Sequence, residues 1–208
     1  DQKAMLIAAH GCKMYPNIKM SFEIKRKYSN NCQEITKKIL QVMKEVKSIK
    51  HVVILHLFDG FKDNNDLEDN QKVYFFEQGE ELSDEKAFYL GNSKLIQEGL
   101  DLTKKVSLLL SIPILAKTAL SCEKPFSFLG ENLCTTKLTK FDQYRSKYVS
   151  VIQRLKQEYP LLNVRDISKV MCNSSLCEYK NDGGSFYHDR SHLSNYGSYV
   201  TLKFLANQ

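Results

Sequence analysis

The sequence predicts an α/β fold with a mainly parallel sheet covered on both faces, and three observations carry that expectation. Short, nearly continuous apolar runs recur at residues 4–9 (AMLIAA), 51–57 (HVVILHL) and 106–110 with Ile112, the pattern of strands buried on both faces. Amphipathic segments alternate with these runs. Long polar stretches, residues 59–83 and 113–139, stand where loops at the carboxyl ends of such strands would be, and there open parallel sheets place their ligands.

Each element follows from its periodicity. Residues 32–47 carry Ile35, Ile39, Leu40, Val42, Met43 and Val46 at helical spacing, with lysines opposite. Residues 94–104 repeat this through Leu95, Ile96, Leu100 and Leu102, and residues 140–158 through Phe141, Tyr144, Tyr148, Val149, Ile152 and Leu155. A weaker apolar run at 162–164 predicts a further strand, and Ser194 is suited to cap a last helix ending near Ala206. Strand and helix in alternation argue for βαβ units. With 208 residues, 42% hydrophobic, 26% charged and four prolines, the chain reads as one globular domain, 1–208.

No run is apolar and long enough to cross a bilayer. The start, Asp1-Gln2-Lys3, has neither an initiator Met nor a charged-then-apolar leader, so the expectation is a piece of a longer product. The net charge of +6 is spread over small groups such as Lys37-Lys38 and Lys104-Lys105. No basic stripe interleaved with aromatics and no recognition motif accompanies it, which argues for a solvated Lys-rich surface and against nucleic-acid binding. A weak attraction to anionic lipid or glycan stays open.

The six cysteines fall into three local pairs, Cys12 with Cys32, Cys122 with Cys134, and Cys172 with Cys177. Nearest-neighbour disulfides are the reading, although the count alone admits other connectivities and free buried thiols. Three bridges would place the chain in an oxidising compartment, each stabilising it by ~2–4 kcal/mol. C-x-x-C knuckles and histidines at ligand spacing are missing, so no metal is expected, and no cofactor motif is present.

The segment His188-Asp189-Arg190-Ser191-His192-Leu193-Ser194 sets a carboxylate three residues before an imidazole at a helix start. On a tight turn the carboxylate accepts a hydrogen bond from one ring nitrogen and leaves the other free as a base. His10 and Gly11 follow the first apolar run, His56 ends the second and Asp59 follows it, so these four are candidates to line the same site. Gly91-Asn92-Ser93 reads as a turn opening a helix, not as a nucleophile corner. Asn173-Ser174-Ser175 is a glycosylation sequon only in a eukaryotic host.

These residues resemble the SGNH (GDSL-like) hydrolase domains, specifically those fused behind acyltransferase-3 membrane acyltransferases. The resemblance rests on the small Cys172–Cys177 loop, the pair Gly183-Gly184 and the D-x-x-H-L-S-x-x-G run from Asp189 to Gly197. It extends to Gly11-Cys12 with Pro16 and Cys32, and to Ser111-Ile112-Pro113, and so spans nearly the whole chain. It implies a flavodoxin-like three-layer α/β/α sandwich lacking its first strand, at the periplasmic or extracellular face of the membrane. Implied partners are an acyl donor domain in the membrane, covalently linked upstream, and a cell-envelope glycan as acceptor. The implied reaction is transfer or hydrolysis of an acyl, commonly acetyl, ester, with Asp189 and His192 as two members of a Ser-His-Asp site.

Two departures bear on that implication. The Gly-Asp-Ser nucleophile motif of the resembled family does not occur in residues 1–208, so the serine is expected upstream and this piece alone is expected to be inactive. The family's G-x-N-D oxyanion block is replaced by His56-Leu57-Phe58-Asp59-Gly60, leaving backbone N–H groups to serve instead. Two further readings therefore stand: a non-catalytic glycan-binding or scaffold domain, and a secreted carbohydrate esterase.

Overall fold

The computed structural model describes residues 13–22, 30–55, 73–103, 105–115, 117–122 and 134–206. Its elements are β1 (Lys19–Phe22), α1 (Asn30–Glu45), β2 (Val52–Leu55), β3 (Val73–Glu77), β4 (Glu80–Leu82), α2 (Asp84–Leu102), β5 (Val106–Leu110), α3 (Ala119–Cys122), β6 (Thr136–Lys137), α4 (Leu138–Glu158), β7 (Leu162–Asp166), a 3-10 turn (Ile167–Val170), β8 (Leu176–Cys177), β9 (Lys180–Asn181), β10 (Gly184–Ser185) and α5 (Asn195–Ala206). The expected apolar run at 4–9 lies outside the described residues.

The parallel sheet has the order β2-β5-β7. β5 is central, and all five of its residues are buried, as an uninterrupted Val/Leu run covered on both faces requires. α1, α4 and α5 form at the stretches their periodicity predicts. On α4 the buried positions Phe141, Tyr148, Val151, Ile152 and Leu155 make one stripe, and Gln153, Arg154, Lys156 and Gln157 are exposed.

The chain divides into two compact units, Asp1–Ser107 with Lys147–Asn163, and Leu108–Ser146 with Val164–Gln208. The first holds an aromatic cluster in which Tyr15 meets Phe75 and Phe88, and Phe88 meets Tyr148, at centroid distances of 5.8, 6.4 and 6.3 Å. In the second, Leu109, Ile112, Leu115 and Ala119 pack with Ile167, Met171, Phe186 and Tyr187. The core thus joins the segment after β5 to the C-terminal segment.

Two expectations are corrected. Residues 59–83 read as one long polar loop, yet 73–82 form the hairpin β3-β4, closed by Phe75↔Leu82, and β3 pairs antiparallel with β1 through Met20↔Phe75. The run Val73-Tyr74-Phe75-Phe76 has high strand propensity. The hairpin turn, Gln78-Gly79, takes positive φ at both residues (52° and 93°), the conformation a two-residue hairpin needs. Three glutamates around it hide the alternation, and Met20, Phe75 and Leu82 bury one face regardless.

The second correction concerns α2, which begins ten residues before the expected Lys94. Ser83 caps it by accepting from the backbone N–H of Lys86 at 3.2 Å, and Asp84 and Glu85 complement the positive helix end. Gly91-Asn92-Ser93 therefore lies in mid-helix instead of opening one. Gly91 is there because the Tyr15 ring lies against the backbone: a Cβ at this position would stand 2.3 Å from two ring atoms.

Gly91→Ala pits a helix-propensity gain of about 1 kcal/mol against an overpacking cost of about 1–3 kcal/mol. The clash falls at the root of a buried ring, so a net loss of stability is expected, read as a lower midpoint in urea unfolding with unchanged m.

Candidate active site

Asp189 organises its own neighbourhood. Its Oδ1 accepts backbone N–H bonds from Ser191 (2.8 Å) and His192 (2.9 Å), the turn that aspartate side chains close with the chain just ahead of them. Oδ2 remains for the imidazole, and His192 Nδ1 stands 2.7 Å from it. One carboxylate thus bends the chain with one oxygen and orients the ring with the other.

The electrostatics follow. Partial burial by itself would raise the Asp189 carboxyl, but the two backbone N–H groups and the His192 ring outweigh it and draw the pKa down from 3.8 to about 2. At neutral pH Asp189 is therefore an acceptor only, and Nδ1 must carry the proton between them. The neutral ring then has its lone pair at Nε2. The His192 side chain is 54% exposed and Nε2 makes no hydrogen bond among the described residues, so this lone pair is available to an incoming hydroxyl.

The turn is fastened to the segment leaving β5. Tyr187 Oη donates to the Pro113 carbonyl at 2.8 Å, Leu115 N–H donates to the Arg190 carbonyl at 2.9 Å, and Arg190 Nε returns a bond to the Leu115 carbonyl at 3.0 Å. Ala119 N–H reaches the Asp189 carbonyl at 3.4 Å. Burial pushes the Tyr187 hydroxyl pKa well above its ordinary value, so it stays a donor. These bonds hold the Asp-His pair at the carboxyl end of β5.

From the other side the pair is held by α5. Ser194 Oγ accepts from Gly197 N–H at 2.9 Å and donates to the Ser185 carbonyl, while Ser194 N–H donates to Phe186 O at 2.9 Å. The helix start is thereby capped and tied to the strand before the site. The β9-β10 hairpin turns through Asp182-Gly183, and Gly183 and Gly184 lie against Tyr196, whose hydroxyl donates to Asn181 Oδ1 at 2.8 Å. Gly184 has φ of 137°, a value that side-chain-bearing residues avoid.

Cys122–Cys134 and Cys172–Cys177 are disulfides as expected. Cys32 is also disulfide-bonded, and Cys12 lies outside the described residues. Inside the Cys172–Cys177 loop, Asn173 Oδ1 accepts from Ser175 N–H and Leu176 N–H, both at 2.9 Å, so the sequon asparagine closes a turn. His10, Gly11, His56 and Asp59, expected to line the site, lie outside the described residues. Among the described residues no group of His, Cys, Asp and Glu is arranged to hold a metal ion, and no helix is long and apolar enough to cross a membrane.

Sequence reasoning did not find Tyr187 and Arg190 as anchors. Both sit within the recognised segment, but their partners are 74 and 75 residues away, and no local pattern encodes such a pairing.

Two outcomes are expected. Gly197→Ala would put a Cβ 2.0 Å from the Phe186 carbonyl oxygen, a backbone atom that cannot swing aside, so a loss of about 3 kcal/mol or more is expected in denaturant unfolding. Asp189 has a folded-state pKa below its ordinary value, so its stabilising effect is complete above about pH 4 and is lost as pH falls through about 2. Carbon-detected NMR titration of the carboxyl should show that midpoint, and a midpoint near 3.8 would show that the turn does not hold the charged form.

The family profile described as SGNH domain (fused to AT3 domains) matches residues 1–206. Sequence comparison with curated proteins finds no relative. Among solved structures, the periplasmic domain of the lipopolysaccharide acetyltransferase of Salmonella ser. Paratyphi A is similar, with a TM-score of 0.58 at 13% identity over 87% of this chain. The likeness covers 65% of that domain, so this chain spans slightly less than two thirds of its length. At that identity the likeness speaks for the fold, a mixed α/β architecture around the parallel sheet. The profile match covers nearly every residue, and on that ground the chain belongs to the family of SGNH domains that are fused to AT3 domains.

Proposed function

We propose that this chain is the periplasmic domain of a membrane O-acyltransferase and that it moves an acyl group, in the simplest case acetyl, onto a hydroxyl of a cell-envelope glycan. Lipopolysaccharide, the substrate in the name of the structural neighbour, is the first candidate acceptor. The AT3 part of the same protein would supply the acyl group from the membrane. The observation that carries this reading is the 2.7 Å bond between Asp189 and His192 with Nε2 left open.

In this reading His192 Nε2 takes the proton of a serine hydroxyl as its Oγ attacks the acyl carbonyl, and Asp189 stabilises the imidazolium that forms. The donor leaves with that proton, and an acyl-serine remains. His192 then deprotonates the glycan hydroxyl, which attacks the acyl-serine, forms the new ester and frees the serine. No Gly-Asp-Ser occurs in residues 1–208, so the reading assigns the nucleophile to another part of the protein. The oxyanion would be met by backbone N–H groups.

In the full-length protein, His192→Ala is expected to lower turnover of a small acetyl ester by roughly 10³-fold or more, and Asp189→Asn by roughly 10²–10⁴-fold. Unchanged turnover in His192→Ala would remove the catalytic role and leave a glycan-binding domain. Residues 1–208 alone should not turn the ester over. Activity of that piece would locate the nucleophile within it.

A further inference from the structure

A second concave site lies wholly within the first compact unit and takes no part in the proposed chemistry. It is an open cleft of about 280 Å³ formed where Pro16-Asn17, the end of β3 at Glu77, one face of α2 and Tyr159 meet. At roughly 30 Å³ of liquid volume per water, that is room for about nine waters, comparable with the dozen or so heavy atoms of one hexose.

Its lining is specific in kind. Ser93 Oγ and Tyr159 Oη are hydrogen-bonded at 2.7 Å, and each keeps capacity for a further partner. Gln97 presents an amide, its Nε2 donating to Asp101 at 2.7 Å while its oxygen makes no bond among the described residues. Glu77 is half-buried, and its carboxylate has no hydrogen-bond or ionic partner among the described residues. The one cation of the lining, Lys94, lies 3.2 Å from Glu98, a carboxylate that also meets Lys44 at 3.0 Å, and with Glu77 in the same lining the cleft itself carries no net positive charge for an anion. Pro16 and Leu90 supply apolar surface beside these groups.

We infer that this cleft is a binding site for a neutral saccharide residue. A pyranose ring pairs a polar rim of hydroxyls with apolar C–H faces. A carboxylate accepts from two neighbouring hydroxyls, an amide oxygen and two side-chain hydroxyls complete the rim, and Pro16, Leu90 and the Tyr159 ring suit the C–H face. Two tight positive-φ turns, at Asn17 (66°) and at Gln78-Gly79, frame the opening and fix the backbone there. The inference rests on the glycan reading above for its biological sense, since a holding site in addition to a reacting site suits a polymeric acceptor. Its chemistry stands on the lining alone.

The test is an NMR titration of the ¹⁵N-labelled 208-residue chain with methyl hexosides and methyl N-acetylhexosaminides, with glycerol as the control polyol. Saturable shifts at the amides of Asn17, Glu77, Ser93 and Gln97 are expected with at least one glycoside and not with glycerol. Glu77→Ala and Gln97→Ala, both at accessible positions, should each weaken Kd by about tenfold, because each removes a hydrogen bond to the ligand, in one case to a charged group. Absence of saturation with every glycoside, equal shifts with glycerol, or unchanged Kd in both variants would overturn the inference. His192→Ala should leave this binding intact. Binding with His192-independent turnover would sink the catalytic reading alone, and His192-dependent turnover without binding would sink the cleft alone.

Discussion

The two oxygens of Asp189 do separate work, and the site depends on that division. One oxygen holds the backbone of Ser191 and His192 in a turn and the other holds the imidazole. A backbone N–H pair facing a carboxylate stabilises the charged form, and the charged form is what obliges Nδ1 to be the protonated nitrogen. Turn geometry, carboxylate ionisation and imidazole tautomer are thus one coupled fact. An amide at position 189 could keep the turn and lose the other two.

Around that turn, side chains bond mainly to backbone groups of distant segments. The Leu115 N–H donates to the Arg190 carbonyl and the Arg190 guanidinium donates back to the Leu115 carbonyl, the Tyr187 hydroxyl reaches Pro113, and Ser194 ties the α5 cap to the strand before it. Beneath them, Phe186 and Tyr187 are buried among Leu109, Ile112, Leu115 and Ala119. Hydrophobic burial sets the position of the segment coarsely and the polar bonds set it finely, a division that fixes the mutual geometry of Asp189 and His192. Gly197 permits a close approach between α5 and the Phe186 carbonyl. The D-x-x-H-L-S-x-x-G spacing thus has a local physical reason for its Asp, His, Ser and Gly.

Arg145 shows the same economy at the end of β7. It bonds Asp166 at 2.9 Å and Ser168 at 3.2 Å, bonds Asp142 on its own helix at 2.8 Å, and lies 4.6 Å from the Phe141 ring centre. Asp166 in turn caps the 3-10 turn through Ser168 N–H at 3.1 Å. A planar guanidinium with several fixed donors can satisfy two carboxylates at once, and here it joins α4 to the strand end that leads into the C-terminal segment.

The sequence by itself determined the local features of this protein. A strand run such as Val106–Leu110, the helices at 30–45, 138–158 and 195–206, the two disulfides, and the Asp189–His192 turn all depend on residues near one another in the chain, so periodicity, spacing and capping made them legible. The α2 start at Ser83 was equally local, but Gly91 and the polar residues before Lys94 masked it. Only the tertiary structure decided what pairs across long separations: β1 with β3, Tyr15 with Gly91, Tyr187 with Pro113, Arg190 with Leu115, and Ser93 with Tyr159. Such pairs arise from burial, which is non-directional and does not name its partners in advance.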